Sequence, residues 1–185
     1  MAKRTRIAAV MAVAAILVTA QSSAAAESDA SAVSLPAENA HLRSSSPVIN
    51  AAIESAIERS ATFRLLVAEI NASDSLVFVN EGRCGHGVFA CFTRVSSAGS
   101  HRFLFVLIDM RKNHPELMAS IGHELRHTIE VIREPSVRTD LDRYNFYEAN
   151  GIHLSDGERE TLAAREAGNA VRSEINAFNR HTQPR

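Results

Sequence analysis

The residues of this sequence best suited to chemistry are two histidines four positions apart, with a glutamate directly after the first. They are His123, Glu124 and His127, in the segment SIGHELRHTIEV. Residues four apart on a helix lie one turn above each other, so the two imidazoles can bind one ion. This is the geometry of the H-E-x-x-H zinc motif, in which the glutamate is the general base toward water. We therefore predict His123 and His127 as zinc ligands and Glu124 as the catalytic base.

The motif must be carried by a helix with one apolar and one polar face. Pro115 suits a first-turn position and Pro135 a stop, which predicts a helix from Pro115 to about Arg133. The two histidines lie almost opposite its apolar stripe. That stripe consists of Met118, Ile121, Leu125, Ile129 and Ile132. A solvated surface and the floor of a cleft are both compatible with this pattern.

A catalytic zinc site usually has a third protein ligand. Glu130 shares the histidine face, but it lies seven residues from His123, about 10 Å along the helix. One ion can hardly bind both residues unless the helix is distorted. We therefore assign Glu130 to the support of a ligand or to a surface pair with Arg126 or Arg133.

The last predicted helix offers a better third ligand. The segment SDGE (Ser155–Glu158) has capping-box spacing, and the helix should run from there to about Phe178. Glu160 lies at the centre of its apolar stripe and Glu174 less centrally. A glutamate on a core face is costly unless it is paired, neutralised or bound to a metal. We predict Glu160 as the third ligand, although acidic residues near a helix start also follow from the helix dipole.

Several other polar residues lie between the two predicted ligand-bearing helices. Tyr144 and Tyr147 fall in a predicted loop, and either hydroxyl could donate to the oxyanion of an amide under attack. We favour Tyr144 as this catalytic donor; packing over the core is the alternative for both tyrosines. His153 is a further donor candidate. Asp140 or Asp142 could orient a ligand imidazole, although both also suit turns.

Ahead of the motif, the pattern predicts two helices and then strands. Apolar residues at helical spacing start near Pro47 in PVINAAIESAIERS and again in ATFRLLVAEINAS. Runs rich in β-branched and aromatic residues follow at 75–80, 88–95 and 101–109, and SSAGS between the last two predicts a β-hairpin. The predicted class is α+β with a small, mostly antiparallel sheet. The run RFLFVLID would bind an extended peptide if it lay at the sheet edge.

The N-terminus has the pattern of a secretory signal peptide. Lys3, Arg4 and Arg6 precede an uncharged apolar run, 7–20, and Ala24-Ala25-Ala26 fits a cleavage site. We predict a signal peptide over 1–26, a flexible linker over 27–46 and a catalytic domain over 47–180. An uncleaved membrane anchor is the alternative. The predicted location is therefore secreted or periplasmic.

Charge and cysteine content narrow the class of protein. Loss of three leader cations shifts the formal charge from −1 to −4, and no basic stripe suggests binding to nucleic acid. After removal of the leader, no second apolar run is long enough to span a membrane. In an oxidising compartment, Cys84 and Cys91 predict one disulfide. A Cys/His metal site that includes His86 is the alternative.

The segment HELRH with a glutamate on a later helix resembles the gluzincin arrangement of zinc peptidases. More specifically, IGHELRHTIEV and ETLAAREAGNAVRSEI (Glu160–Ile175) resemble an uncharacterised family of secreted bacterial zincin-like proteins. These tend to carry a histidine–glutamate helix, a tyrosine-containing loop and a helix that opens with Glu-Thr. The resemblance covers roughly 61–175. It implies a zincin-like fold, zinc bound by His123, His127 and Glu160, and Glu124 as base.

These features predict a secreted zinc-dependent metallohydrolase, most simply a peptidase that acts on a peptide or protein. The long interval between His127 and Glu160 differs from thermolysin-like enzymes, and no third histidine of the metzincin type follows the motif. Two alternatives belong to other classes. One is a non-catalytic binding or structural module with a stabilising metal, and the other is a metal-free helical scaffold.

Overall fold

The computed structural model describes residues 41–85, 88–154 and 159–182. The predicted signal peptide, the linker up to residue 40, His86 and the Ser155–Glu158 capping box lie outside the described residues. The class is α+β, as predicted: five helices and a four-stranded mixed sheet occur within the described ranges. Among those helices, none combines the length and apolar character needed to cross a bilayer.

The main sheet contains both parallel and antiparallel pairs. Its strands are β1 (Leu42–Arg43), β2 (Ser75–Glu81), β3 (Ala90–Ala98) and β4 (His101–Ile108), in the spatial order β1-β2-β4-β3. Strands β1 and β4 both lie parallel to β2, whereas β3 and β4 form the predicted antiparallel hairpin. The prediction of a mostly antiparallel sheet is therefore wrong. Strand β3 lies at the edge and β4 returns between it and β2, which makes β4 parallel to β2.

The folded domain begins before Pro47, inside the segment predicted as linker. Leu42 is buried and pairs in register with Val77 on β2. Ser46 is the N-cap of the first helix and accepts a hydrogen bond from the Ile49 backbone N–H. The six-residue segment 41–46 is thus part of the domain.

The first three helices agree with the sequence-based prediction. They are α1 (Pro47–Arg59), α2 (Ala61–Asn71) and α3 (His114–Ile132). Asn113 caps α3, Pro115 occupies its first turn, and the predicted stripe from Met118 to Ile129 is fully buried. At the other end, buried Arg102 of β4 donates to the carbonyls of the last turn and just beyond. Helix α3 is thereby fixed to the sheet at its C-terminal end.

The C-terminal half differs from the prediction in two places. The predicted tyrosine loop is helix α4 (Asp140–Asn150), which starts at a Thr139 capping box. Two short antiparallel strands, β5 (Ile152–His153) and β6 (Arg159–Glu160), follow it. Helix α5 (Leu162–Thr182) starts later than predicted, because the Thr161 hydroxyl accepts from the Ala164 N–H and caps it there. Glu160 therefore lies on a strand rather than on the helix.

Helix α5 packs closely against α3 at the level of the motif. A side chain at Gly122 would put its Cβ 2.9 Å from Val171, and one at Gly168 would meet the Cβ of His123 at 3.1 Å. The two glycines let the helices approach at this point. The residue just before the α5 cap, Glu160, is thus brought near the histidines.

Two side-chain alternatives from the sequence are resolved by their contacts. The Glu174 carboxylate accepts hydrogen bonds from the Ser60 hydroxyl at 2.5 Å and from the Thr62 hydroxyl at 2.8 Å. Burial alone would raise the pKa of Glu174, but these bonds lower it and hold the carboxylate at the α1–α2 junction. Cys84 and Cys91 form the predicted disulfide, with Cα atoms 5.9 Å apart. Neither thiol is available for a Cys/His metal site.

Candidate metal centre

Two imidazoles and one carboxylate meet above α3. The potential ligand atoms of His123, His127 and Glu160 all lie within 4.8 Å of one another. The Glu160 Oε2 atom is 3.3 Å from His123 Nε2, and Oε1 is 3.3 Å from His127 Nε2. The histidines come from α3 and the carboxylate from β6. Residues 33 positions apart in sequence are thus combined in one cluster.

The cluster has the chemistry and spacing of a three-ligand site for a divalent metal. Ligand atoms about 2.1 Å from a common zinc ion in tetrahedral geometry lie roughly 3.4 Å apart. Both measured N–O separations are close to that value. Two imidazole nitrogens and a carboxylate oxygen also form a donor set common in catalytic zinc sites. The three residues could therefore hold a metal ion, while related transition metals accept the same donors.

Glu124 lies beside this cluster. Its side chain is only 5 % exposed, and its Oε1 atom is 3.9 Å from His123 Nε2. Glu124 also lines the same cleft as the two histidines and Glu160. A carboxylate in this position can accept a proton from a water molecule activated next to the imidazoles.

His127 is held from behind by Glu130 and Tyr147, and Thr161 in turn holds Glu130. Its Nδ1 atom is 3.0 Å from Glu130 Oε2, and the other oxygen of Glu130 accepts from the Thr161 hydroxyl at 2.7 Å. The Tyr147 hydroxyl donates to the His127 carbonyl at 2.9 Å, and the two rings meet edge to face. With Nδ1 occupied by Glu130, Nε2 of His127 is the nitrogen directed at Glu160. The assignment of Glu130 to ligand support agrees with these contacts.

The two histidines have opposite pKa shifts. Burial lowers the pKa of His123 to about 4, and the charge of His127 adds to this effect. For His127, burial also favours the neutral ring, but the hydrogen bonds to Glu130 and Glu160 outweigh it and raise the pKa to about 10. His127 therefore carries a proton between the two carboxylates. A metal must displace that proton, so metal binding should weaken as the pH falls.

Removal of the Glu130 carboxylate should weaken metal binding without removing a ligand. We expect Glu130→Ala to lower zinc affinity about 10–100-fold, because His127 loses the partner that orients its ring. Competition against a chromophoric chelator measures this affinity. Glu134→Ala is the matched control, since Glu134 lies two residues beyond the end of α3 and its side chain forms hydrogen bonds only to Ser136 among the described residues. Equal zinc affinity in both variants would contradict the supporting role of Glu130.

The cluster opens onto a cleft of about 540 Å³. Helix α3 contributes the floor, the start of β3 and the residues before it form one wall, and α4 and α5 contribute others. Tyr144 lines this cleft and is 55 % exposed. A hydrogen bond to Glu148 raises the pKa of Tyr144. Tyr147 is buried against His127, and His153 lies near Glu148 with a 3.7 Å separation.

The structure decides two other possibilities that the sequence left open. Asp140 accepts from the Val95 backbone N–H at 2.7 Å, and Asp142 completes the α4 capping box, so neither orients an imidazole. The run RFLFVLID forms β4, which is internal to the sheet and has no free edge. Strand β3 is the edge strand next to α4. Its outer side is partly occupied by Asp140 and by Arg143, which donates to the Phe92 carbonyl.

The supporting roles of Tyr147 and Thr161 are not among the sequence-based predictions. The sequence predicts Tyr147 only as an oxyanion donor or a core residue, because its segment has the pattern of a loop. A signal for the helix was present, since Thr139 and Asp142 have the spacing of a capping box. Thr161 directly follows Glu160, so one short segment supplies both the carboxylate and a bond to Glu130.

No protein-family model, curated protein or solved structure matches this chain.

Proposed function

We propose that this protein is an exported zinc-dependent metallohydrolase of the gluzincin type, most simply a peptidase. The observation that carries the proposal is the convergence of His123, His127 and Glu160 beside the buried Glu124, at the floor of a cleft. Zincs that only stabilise a fold normally have four protein ligands in a closed shell. Within the described residues this group has three members and faces the cleft, which favours catalysis over a structural role.

In amide hydrolysis, each residue of the site would have a separate role. Zinc bound by the three ligands would supply Lewis-acid chemistry, which polarises a carbonyl and makes water more acidic. Glu124 accepts the proton of the attacking water and then delivers it to the leaving amine. Glu130 and Tyr147 keep His127 in place throughout. The low exposure of Glu124 and His127 limits competing contacts with bulk water.

Tyr144 is our proposed donor to the developing oxyanion. It lines the cleft and carries the one tyrosine hydroxyl there that is not directed at the His127 backbone. That hydroxyl is hydrogen-bonded to Glu148, so it must exchange this partner for the substrate. Such donors commonly tighten their geometry only when substrate is bound.

The experiment is a cleavage assay with a library of internally quenched peptides and the purified, zinc-loaded protein. We expect cleavage that a strong chelator abolishes and that added zinc restores, because no other group replaces the Lewis acid. Mass spectrometry of the products identifies the bond that is cut. Cleavage that persists at full rate in excess chelator would contradict a metal-dependent mechanism. Zinc binding without cleavage of any library member would favour the non-catalytic module.

A further inference from the structure

The cleft has a positive lining in a chain whose formal net charge is −1. Among the lining residues that the structure describes, the only carboxylates are Glu124 and Glu160, both already assigned to the metal centre. Five basic side chains line the same cleft: Lys112, Arg143, Arg159, Arg165 and Arg172. The described lining side chains, counted without their partners outside the cleft, thus carry a net positive formal charge, and a bound divalent cation would add to it.

Three of these cations are already engaged by the protein. Arg159 pairs with Glu148, and Arg172 pairs with Glu116 with a closest separation of 2.8 Å. Arg143 donates to the carbonyl of Phe92 and lies over its ring. These contacts neutralise or fix the three guanidinium groups.

Lys112 and Arg165 have no ion-pair partner among the described residues. Within the described residues, the Lys112 ammonium lies 3.2 Å from the Ser120 hydroxyl and 4.6 Å from the centroid of the Phe89 ring. The hydrogen bond from Arg172 lowers the pKa of Glu116, and the charge of Lys112 also helps to lower it. Ser120 lies three residues before His123 on α3, about one helical turn away. Lys112 is therefore close to the metal centre along the cleft. Arg165 is exposed in the first turn of α5, five residues after Glu160. The two cations thus line the same cleft from different segments, Lys112 from the segment before α3 and Arg165 from α5, and each can donate hydrogen bonds to a carboxylate.

We propose that the cleft selects acidic peptides, with Lys112 and Arg165 binding side-chain carboxylates on the substrate. This inference rests on the proposed function, because it assigns the substrate class of that site. An exposed ion pair contributes up to about 1 kcal/mol, which is roughly fivefold in affinity per carboxylate. Two such pairs would together give at most about 25-fold, and we expect about tenfold because exposed pairs usually contribute less than this limit. Screening by salt should reduce the preference.

The test measures peptide binding separately from turnover. Full-length Glu124→Gln protein is titrated, by fluorescence anisotropy, into labelled peptides of equal length that carry Glu, Gln or Lys at the same positions and an amidated C-terminus. We expect the Glu peptide to bind about tenfold tighter than the Gln peptide and the Lys peptide to bind weakest. Raising the ionic strength should remove most of this difference. A Gln peptide with a free terminal carboxylate distinguishes side-chain recognition from recognition of a chain end.

Substitutions then assign the effect to residues. In Lys112→Gln/Arg165→Gln the Glu and Gln peptides should bind within about twofold of each other, whereas Arg180→Gln, on α5 but outside the cleft, should keep the full preference. Equal binding of Glu and Gln peptides to the unsubstituted cleft would overturn the proposal, as would an unchanged preference in the double variant. Tighter binding of the free-acid Gln peptide than of the Glu peptide would overturn side-chain recognition. If the wild-type protein cleaves no peptide but the binding preference for the Glu peptide is intact, the result would count against the proposed function and not against this inference.

Discussion

Replacement of Glu124 with glutamine is expected to lower peptide hydrolysis about a thousandfold and to leave metal content unchanged. The amide keeps the size of the carboxylate but cannot accept the proton of the attacking water. Because Glu124 is not one of the three clustered ligands, its loss should not release the metal. The measurement combines kcat/KM on a cleaved peptide with metal analysis of the same preparation.

Glu166→Gln is the matched control for this substitution. Glu166 is an exposed residue of α5 that does not line the cleft. It should retain full activity, whereas the loss of cleavage in the identically prepared Glu124→Gln protein shows that the activity does not come from a foreign protease. A Glu124→Gln protein that cleaves at the wild-type rate would remove Glu124 from the mechanism.

Loss of Glu160 is expected to reduce zinc affinity by about a thousandfold. This is more than the 10–100-fold reduction expected when only a residue that orients a ligand is lost. The reason is that Glu160 contacts both imidazoles. It is also the only carboxylate of the three-residue cluster found among the described residues, so no other one is placed to replace it. Zinc at a hundred times its Kd should stabilise the wild-type protein by about 2.7 kcal/mol. Glu160→Ala should lose that gain at the same zinc concentration.

Thermal unfolding with and without zinc measures this linkage directly. Glu166→Ala is again the matched control and should show the full wild-type rise in Tm with zinc. His127→Ala should behave like Glu160→Ala, because it also removes a ligand atom from the cluster. A zinc-dependent rise in Tm that survives in both variants would show that the metal binds elsewhere on the chain.

The helices and strands near the motif could be predicted because their apolar residues repeat with a clear period. The stripe from Met118 to Ile129 and the β-rich runs at 75–80 and 101–109 correspond to real elements. The sequence does not predict helix α4, because its segment contains few apolar residues and only Tyr147 becomes buried. Such a helix depends on its cap and on tertiary contacts more than on its own pattern.

The order of strands in the sheet could not be read from the sequence. Period-two patterns identify β3 and β4 as a hairpin, but they do not say which of the two lies next to β2. In the structure β4 takes that place, while β3 lies at the edge next to α4. Because β4 lies between β2 and β3, it has no free edge to which a peptide could bind.

The sequence predicts that Glu160 lies near the histidines, but it places this residue on a helix instead of a strand. A carboxylate on an otherwise apolar face needs a partner, and the structure places Glu160 between two imidazoles. The apolar periodicity predicts a helix that already includes Glu160, but the helix begins only after the Thr161 cap and Glu160 lies on a strand. Contacts between segments far apart in sequence, such as Tyr147 with His127, have no comparable local signal.

The most direct test of the central claim is an anomalous difference map, recorded at the zinc absorption edge, from crystals of the zinc-loaded protein. We predict one strong peak per chain, about 2.1 Å from His123 Nε2, His127 Nε2 and a Glu160 oxygen. A map with no peak between these three residues, and with the Glu160 carboxylate still paired directly to both imidazoles, would contradict the account.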